Sequence, residues 1–205
     1  MPTERFLRLS LEKQDRIMAA SEREFSEHPI ESISINRIIR DAGISRGSFY
    51  TYFLDKRDVF MYILERRKQR EAELIKAWLL ENGFDIAAML DKLICYYRDQ
   101  LKEKLEDIER FESNISSGFF DFEDIKSLCR DDSDPLSEWM WEHMGSERKR
   151  YHSFNLFKAA VIHFKLICGA MAMRLVMEPE EESRTMETFH DMVRIFIKGV
   201  ENVDE

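Results

Sequence analysis

The sequence predicts an all-α protein in which an N-terminal three-helix helix-turn-helix DNA-binding domain is followed by a larger helical ligand-binding and dimerisation domain. Only 7 Gly and 4 Pro occur among 205 residues, and scarce helix breakers favour long helices over strands. Hydrophobic residues make up 44% of the chain, which suffices for a buried core. Apolar stripes at helical spacing flank a glycine at position 43. We predict that the first domain spans 10–57 and the second 58–205.

Charge is divided unevenly between these two domains. The formal net charge of the chain is −9, which taken alone argues against a nucleic-acid binder. Residues 1–57, however, hold 10 basic and 9 acidic side chains, so the acidity belongs to the larger domain. An acidic body limits non-specific attraction to DNA and helps to orient the other domain towards phosphate. The charge pattern is therefore compatible with DNA binding by the N-terminal domain.

The first helices of that domain are predicted from capping residues and apolar stripes. Helix one is expected over 11–26, after Ser10 as N-cap. Ser34 is the expected N-cap of helix two, and Gly43 suits a left-handed residue at its end. Ser45 is then the expected cap of helix three. The core stripe of helix two falls at i, i+3, i+4 and i+7 and consists of Ile35, Ile38, Ile39 and Ala42.

The third helix has the surface expected of a helix that enters the major groove. Phe49 and Phe53 share the face that must be buried. On the opposite face, Arg46 can bond guanine through two donors, Gly47 allows a close approach of the backbone, and Thr51 offers a hydroxyl and a methyl. The residues predicted to contact base edges or phosphates are Ser34, Ser45, Arg46, Gly47, Ser48, Tyr50, Thr51, Tyr52 and Lys56.

A small helical core with an incidental glycine turn would show the same spacing. Two features favour DNA binding instead: the exposed face of helix three carries almost no acid, and the aromatic run at 49–53 is unusual for a solvated surface. The Ala-Gly-Ile-Ser-Arg-Gly-Ser-Phe-Tyr-Thr-Tyr-Phe run at 42–53, followed by Asp-Lys-Arg-Asp at 55–58, resembles the DNA-binding domain of TetR-family regulators. The resemblance extends over 12–60 and includes Phe25, Ile38 and Lys56.

What the resemblance implies is confined to the N-terminal quarter of the chain. The residues that it implies to face DNA are Ser34, Arg46, Gly47, Ser48, Tyr50, Thr51, Tyr52 and Lys56. One departure is Pro29, which stands where the family usually has Gly, so the resemblance does not define the loop over 28–33. The family's C-terminal domains diverge, and no ligand residue carries over from it.

The last two helices carry the prediction of a homodimer. Apolar residues recur there at alternating steps of three and four, which is typical of a packing seam. Beside this seam, Leu156, Ala160, His163, Ile167 and Ala170 form a second stripe. One stripe can pack on the chain's own body and the other on a second copy, and a purely internal core is the alternative. The predicted dimer residues are Phe157, Val161, Phe164, Cys168, Met171, Phe189, Val193, Phe196 and Val200.

The larger domain is also expected to bind a small, largely apolar effector. Aromatic residues and Met in an irregular region can line an apolar pocket, although most of them could equally be core. Lys165 shares a face with Lys158 and is expected to be solvated. The candidate pocket residues are Tyr96, Tyr97, Phe111, Phe120, Trp139, Trp141, Phe154 and Phe164.

Motifs for catalysis, cofactors and membrane insertion are missing from the sequence. It has no Gly-rich phosphate loop, HExxH or GxSxG, and its five His are dispersed, so we expect neither an enzyme nor a cofactor or metal. Three Cys without a CxxC suggest a reducing cytoplasm. The apolar run at 159–173 is interrupted by His163 and Lys165, which argues against a membrane span.

These expectations combine into one functional hypothesis. The chain is expected to be a homodimeric transcriptional regulator of the cytoplasm, a repressor, that binds a palindromic operator in double-stranded DNA and is released by a small-molecule effector. The alternative is a helical dimeric interaction or enzymatic module that has lost DNA regulation. A polar cavity with clustered His or carboxylates would favour the alternative.

Overall fold

The computed structural model describes residues 2–103 and 134–201. These residues form helices joined by turns, with no strand among them, which confirms the predicted all-α class. Three short 3-10 helices occur at Ile30–Ser32, Gly145–Arg150 and Pro179–Glu181. The described α-helices, numbered in chain order, are α1 (Glu4–Leu7), α2 (Leu11–Glu27), α3 (Ile35–Ala42), α4 (Arg46–Tyr52), α5 (Lys56–Glu81), α6 (Ile86–Glu103), α7 (Pro135–His143), α8 (Phe154–Met177) and α9 (Glu182–Glu201).

The described residues fall into two compact units. The first comprises 2–71, and the second comprises 72–103 with 134–201. The sequence places the domain boundary at the start of α5, whereas the first turns of α5 belong to the first unit. The reason is that they supply Val59, Phe60 and Ile63 to its core.

The core of the first unit is built from the elements around α3 and α4. Ile17 and Met18 of α2, Ile38 of α3, and Phe49 of α4 are 0–1% exposed. This confirms the predicted inner faces of α3 and α4. The short helix α1 was not predicted, and it contributes the fully buried Phe6 to the same core.

In the second unit, α8 packs chiefly against α6, with α7 and α9 beside it. Asp134 caps α7 by accepting the backbone N–H of Ser137 at 3.3 Å, and Pro135 occupies the first turn. A proline there sacrifices no helical hydrogen bond. Asp134 and Pro135 together therefore define the start of α7.

The apolar seam predicted for the dimer points into the second unit. Its members Phe157, Phe164, Cys168, Phe189 and Val193 are at most 5% exposed, so a second copy cannot reach them, and we correct their assignment to core residues. They are buried because α6 and α9 cover this stripe of α8. Three further members, Val161, Met171 and Phe196, are partly buried against the same core. The side chain of Val200 lies outside the described residues.

Candidate nucleic-acid interface

The turn between α3 and α4 sets the direction of α4, which we call the reading helix. Gly43 ends α3 with φ 63° and ψ 40°, a left-handed conformation that glycine adopts without steric cost. Ser34 caps α3 by accepting the N–H of Arg37 at 3.4 Å. Ser45 caps the reading helix by accepting the N–H of Ser48 at 3.0 Å. These caps and the glycine confirm the predicted helix-turn-helix geometry.

The two faces of the reading helix differ as the sequence predicts. Phe49 and the following Phe53 are 0% exposed, whereas Tyr50 is 46% exposed. Arg46 and Gly47 are also exposed. A Cβ atom on Gly47 would lie 3.9 Å from its nearest neighbour, so the protein itself does not require a glycine here. An exposed helical glycine costs stability, which is consistent with a use outside the chain.

Arg46 is held above this face by neutral groups. Its Nη1 donates to Oδ1 of Asn36 at 2.9 Å, and its Nη2 donates to the Tyr50 hydroxyl at 3.5 Å. Its guanidinium carbon lies 5.5 Å from the centre of the Tyr50 ring, within range of a cation–π contact. Its partners among the described residues leave its positive charge uncancelled, so the guanidinium is available to an anion or a guanine edge.

Asn36 is a residue that the sequence reasoning missed. It lies on α3, exposed, and faces the reading helix closely enough to hold Arg46. The available signal was a lone amide beside the Ile-rich stripe of α3. The role of Asn36 depends on how α3 crosses α4. The spacing of residues along a single helix does not predict that crossing.

The other predicted contact residues are placed less uniformly. Ser48 shares a hydrogen bond of 2.9 Å with the Ser45 hydroxyl, and Thr51 donates to the carbonyl of Gly47 at 2.8 Å. Lys56 donates from Nζ to the carbonyl of Ile30 at 2.8 Å, which ties the start of α5 to the loop before α3. These three side chains are partly exposed.

Tyr52 differs from the other predicted contact residues because it is buried. Only 8% of it is exposed, and its ring lies edge-on to Phe6 with 5.9 Å between the ring centres. We therefore correct Tyr52 from a surface contact to a core residue of the first unit. The sequence did not reveal this because Phe6 belongs to α1, which was not predicted.

A half-buried ion pair between Glu24 and Arg37 fixes α3 to α2 beneath this surface. Glu24 is 5% exposed, and its Oε1 accepts the backbone N–H of Ser34 at 2.7 Å. Arg37 donates to the same carboxylate from Nη2 at 2.6 Å. Burial alone would raise the pKa of Glu24, but the hydrogen bonds from Arg37 and Ser34 outweigh it, so the pKa lies below its ordinary value. The pair holds the first turn of α3 in place.

The predicted effector residues do not converge on one cavity. Trp139 stacks between Phe84, at 5.7 Å, and His143, at 4.4 Å. Trp141 packs on Phe154. Elsewhere Tyr96 contacts Tyr97 and Trp78, and Phe164 is buried in the core. The predicted Phe111 and Phe120 lie outside the described residues.

A cavity does occur in the second unit, at a place the aromatic pattern did not indicate. The cavity is small and partly open to solvent. Of the predicted residues that the structure describes, only Phe164 lines it. Lys165, expected to be solvated, is the one ionisable side chain among the described lining residues, which are Ile75, Ile86, Met89, Leu90, Leu93, Leu136, Met140, Val161, Phe164, Lys165 and Phe196.

Two further features of the described residues bear on function. Within 2–103 and 134–201 no group of three or more His, Cys, Asp or Glu is placed to hold a metal ion. Helix α8 is long and apolar enough to cross a membrane by length and composition, but 33% of its most apolar window is buried inside the protein. A core helix of a globular protein meets the same criterion.

Comparison with known proteins matches the helix-turn-helix region to one family. Residues 17–63 match the model of "Bacterial regulatory proteins, tetR family". An HTH-type transcriptional regulator of Staphylococcus aureus strain bovine RF122 is 37% identical over 57 residues, which are 28% of this chain and 31% of that protein. One from Staphylococcus aureus strain USA300 is 38% identical over 55 residues, which are 27% and 30% of the two chains.

The match places residues 17–63, the helix-turn-helix region, among the bacterial regulatory proteins of the tetR family. The chain spans less than a third of the length of the two curated relatives that it matches. A solved TetR family transcriptional regulator from Chloroflexus aurantiacus J-10-fl is 22% identical, with 97% of this chain and 98% of that chain covered and a TM-score of 0.41.

Proposed function

We propose that this chain is a transcriptional repressor that binds a palindromic operator as a homodimer, with one reading helix in each major groove. The observation that carries the proposal is the exposed face of α4. On this face the guanidinium of Arg46 is held by the neutral Asn36 and Tyr50. Gly47 leaves room for DNA to approach the helix backbone closely. Such a face offers donors and positive charge to a DNA groove.

In the complex, the side chains divide into two roles. Arg46 donates to a guanine edge, and Thr51 and Tyr50 contact neighbouring bases. Ser34, Ser45 and Ser48 lie near the two helix starts, where backbone N–H groups favour phosphate. Lys56, at the start of α5, adds a positive charge for the phosphate backbone.

The dimer is formed by the outer face of α8 and α9. Leu166 and Met177 of α8 are 67% and 65% exposed, and Ile195 of α9 is 71% exposed. A contiguous exposed apolar patch marks an interaction site, and Leu166 and Met177, eleven residues apart on α8, share one face of that helix. The second stripe of α8 contributes the exposed His163 and Ala170 to the same face. A second copy fits this surface because a two-fold axis pairs each patch with itself.

The effector is a small, largely apolar molecule held in the cavity of the second unit. The described residues that line this cavity are apolar apart from Lys165, which matches the composition of ligand pockets. Binding releases DNA only if the ligand prefers a conformation whose reading helices fit the operator less well.

The test begins with selection of duplexes from a random pool by the full-length chain. Selected and scrambled duplexes are then titrated by fluorescence anisotropy, and the mass of the free protein is measured by light scattering. We expect a palindrome whose half-sites lie about 34–36 Å apart, or a multiple of that distance. A chain that is monomeric, or that prefers no sequence at low salt, would refute the proposal.

A variant of Arg46 tests the assignment of base reading. Arg46→Ala should weaken binding to the selected duplex by about 1–3 kcal/mol and relax the preference at one position of each half-site. Arg184→Ala is the control, because it removes the same charge from the second unit, where the side chain of Arg184 is 75% exposed. An equal loss on every duplex for Arg46→Ala would show that Arg46 contacts phosphate only.

A further inference from the structure

The segment that precedes the family-matched region packs on the end of the reading helix. The match begins at residue 17, and residues 2–9 lie before it. Thr3 Oγ1 donates to the carbonyl of Thr51 at 2.7 Å, and the backbone N–H of Thr3 donates to the carbonyl of Tyr52 at 2.9 Å. One residue of this segment therefore makes two hydrogen bonds to the last two residues of α4.

These two bonds replace partners that the helix cannot supply. The last four carbonyls of an α-helix lack intrahelical donors, and α4 has only seven residues. The N–H of Phe53 satisfies the carbonyl of Phe49, and Thr3 satisfies the carbonyls of Thr51 and Tyr52. The C-terminal end of the reading helix is thus completed by a residue 48 positions away from Thr51.

Phe6 anchors the same segment between two helices. Its ring is 0% exposed, and its centre lies 4.8 Å from that of Phe53 and 5.5 Å from that of Tyr62 on α5. Gln14 of α2 donates to the carbonyls of Leu7 and Leu9 at 3.1 and 3.0 Å. The segment is therefore bound to α2, α4 and α5 together.

We propose that residues 2–9 form a clamp that positions the reading helix, with Thr3 and Phe6 as its positioning residues. The effect on DNA rests on the proposed function, whereas the effect on α4 does not. Without the clamp, the end of α4 that carries Tyr50 and Thr51 frays, and only a fraction of molecules presents the complete surface. The apparent dissociation constant then rises in inverse proportion to that fraction.

Thr3 offers a matched pair of variants. Its φ of −76° lies within the range of proline, so Thr3→Pro removes both the hydroxyl and the N–H while keeping the backbone path. Thr3→Ser retains both donors and should behave as wild type. Leu7→Ala is the control within the segment, because Leu7 is 49% exposed. Phe6→Ala is a second test that removes the ring anchor.

Two measurements on the full-length chain decide the proposal. Amide hydrogen exchange without DNA should be about threefold to tenfold faster over 50–53 in Thr3→Pro, as expected for the loss of one or two hydrogen bonds. The dissociation constant for the selected duplex should rise by a similar factor, while binding to scrambled duplex changes less. Phe6→Ala should act in the same direction, and Thr3→Ser and Leu7→Ala should match wild type.

The possible outcomes separate the clamp from the proposed function. If amide hydrogen exchange over 50–53 were unchanged in Thr3→Pro, the clamp proposal would be overturned. It would also be overturned if exchange were faster while the affinity for the selected duplex stayed the same. If wild-type protein bound no duplex, the proposed function would fail, and the exchange comparison alone would decide whether the segment positions α4. Loss of affinity in Thr3→Ser would also contradict the clamp, because both donors remain.

Discussion

Individual side chains around Arg46 set the charge of the reading surface. Arg46 is shared between Asn36 and Tyr50, two groups that accept hydrogen bonds without carrying charge. A carboxylate in either place would bind the guanidinium more strongly and compete with DNA for it. The neutral amide therefore orders Arg46 while leaving its charge available for the proposed contact with DNA.

This interpretation predicts unequal effects for two substitutions of Asn36. Asn36→Asp should weaken DNA binding by about 1 kcal/mol, because the new carboxylate pairs with Arg46 and repels phosphate. Asn36→Ala removes only the orienting bond and should cost less. Anisotropy titrations at two salt concentrations measure both, and the loss in Asn36→Asp should shrink at the higher salt. Equal losses in the two variants would mean that the amide contacts DNA itself.

Glu24 makes the first unit sensitive to acid. Its pKa is depressed below 4.5, so the folded state binds the carboxylate's proton more weakly than the unfolded state does. The resulting stability is fully present above the unfolded pKa and is lost as pH falls through the lower folded value. Burial opposes this shift, but the hydrogen bonds from Arg37 and Ser34 outweigh it.

Glu24→Gln should therefore destabilise the first unit at neutral pH by about 1.5–3 kcal/mol, the usual cost of a lost charged hydrogen bond. The difference from wild type should shrink below pH 4.5. Urea unfolding followed by circular dichroism at several pH values measures it. Tryptophan fluorescence is an internal control, because Trp78, Trp139 and Trp141 all lie in the second unit. Exposed Glu27→Gln on the same helix should change neither signal, and a difference independent of pH would contradict the assignment.

At the scale of elements, α3, its turn and α4 could be predicted because their signals are local. Ser34, Gly43 and Ser45 each act within a few residues, and the Ile stripe is recognised within the eight residues of α3. The docking of α1 could not be predicted, because Thr3 and Thr51 are 48 residues apart and share no sequence pattern. For the same reason Tyr52 was assigned to the surface, although Phe6 covers it.

Two glycines of this motif should respond in opposite ways to alanine. Gly43→Ala should destabilise the protein by about 1–2 kcal/mol, because φ is +63° and L residues are strained there. Gly47→Ala should stabilise it by about 0.5–1 kcal/mol, since a helical alanine is favoured and the nearest atom is 3.9 Å away.

Both changes should nevertheless weaken DNA binding, Gly43→Ala by turning the reading helix and Gly47→Ala by placing a methyl group against the DNA. Urea unfolding measures the stability of the two variants, and titration of the selected duplex measures their DNA binding. If Gly47→Ala bound DNA as tightly as wild type, close approach at this position would be excluded.

At the scale of the whole molecule, the sequence could not decide which stripe of α8 faces inward. Both stripes are apolar and both have helical period, so the periodicity is the same for each. The choice is made by tertiary packing, which buries Phe157, Phe164 and Cys168 against α6 and leaves Leu166 outside. The cavity lining was missed for a related reason, because its Leu, Ile and Met residues come from α5, α6 and α7 and share no local sequence pattern.

The exposed apolar residues of α8 and α9 are predicted to hold the dimer together. Leu166→Asp combined with Ile195→Asp should convert the proposed dimer to a monomer, because four carboxylates would meet across the two-fold axis in a desolvated interface. Leu80→Asp is the control, since Leu80 is 62% exposed in α5. Light scattering gives the mass, and circular dichroism should show unchanged helicity, because neither substituted side chain lies in the core. The monomer should bind a palindrome far more weakly, since the linkage between half-sites is lost, yet keep its preference at each half-site. A variant that remains dimeric would place the interface on another face.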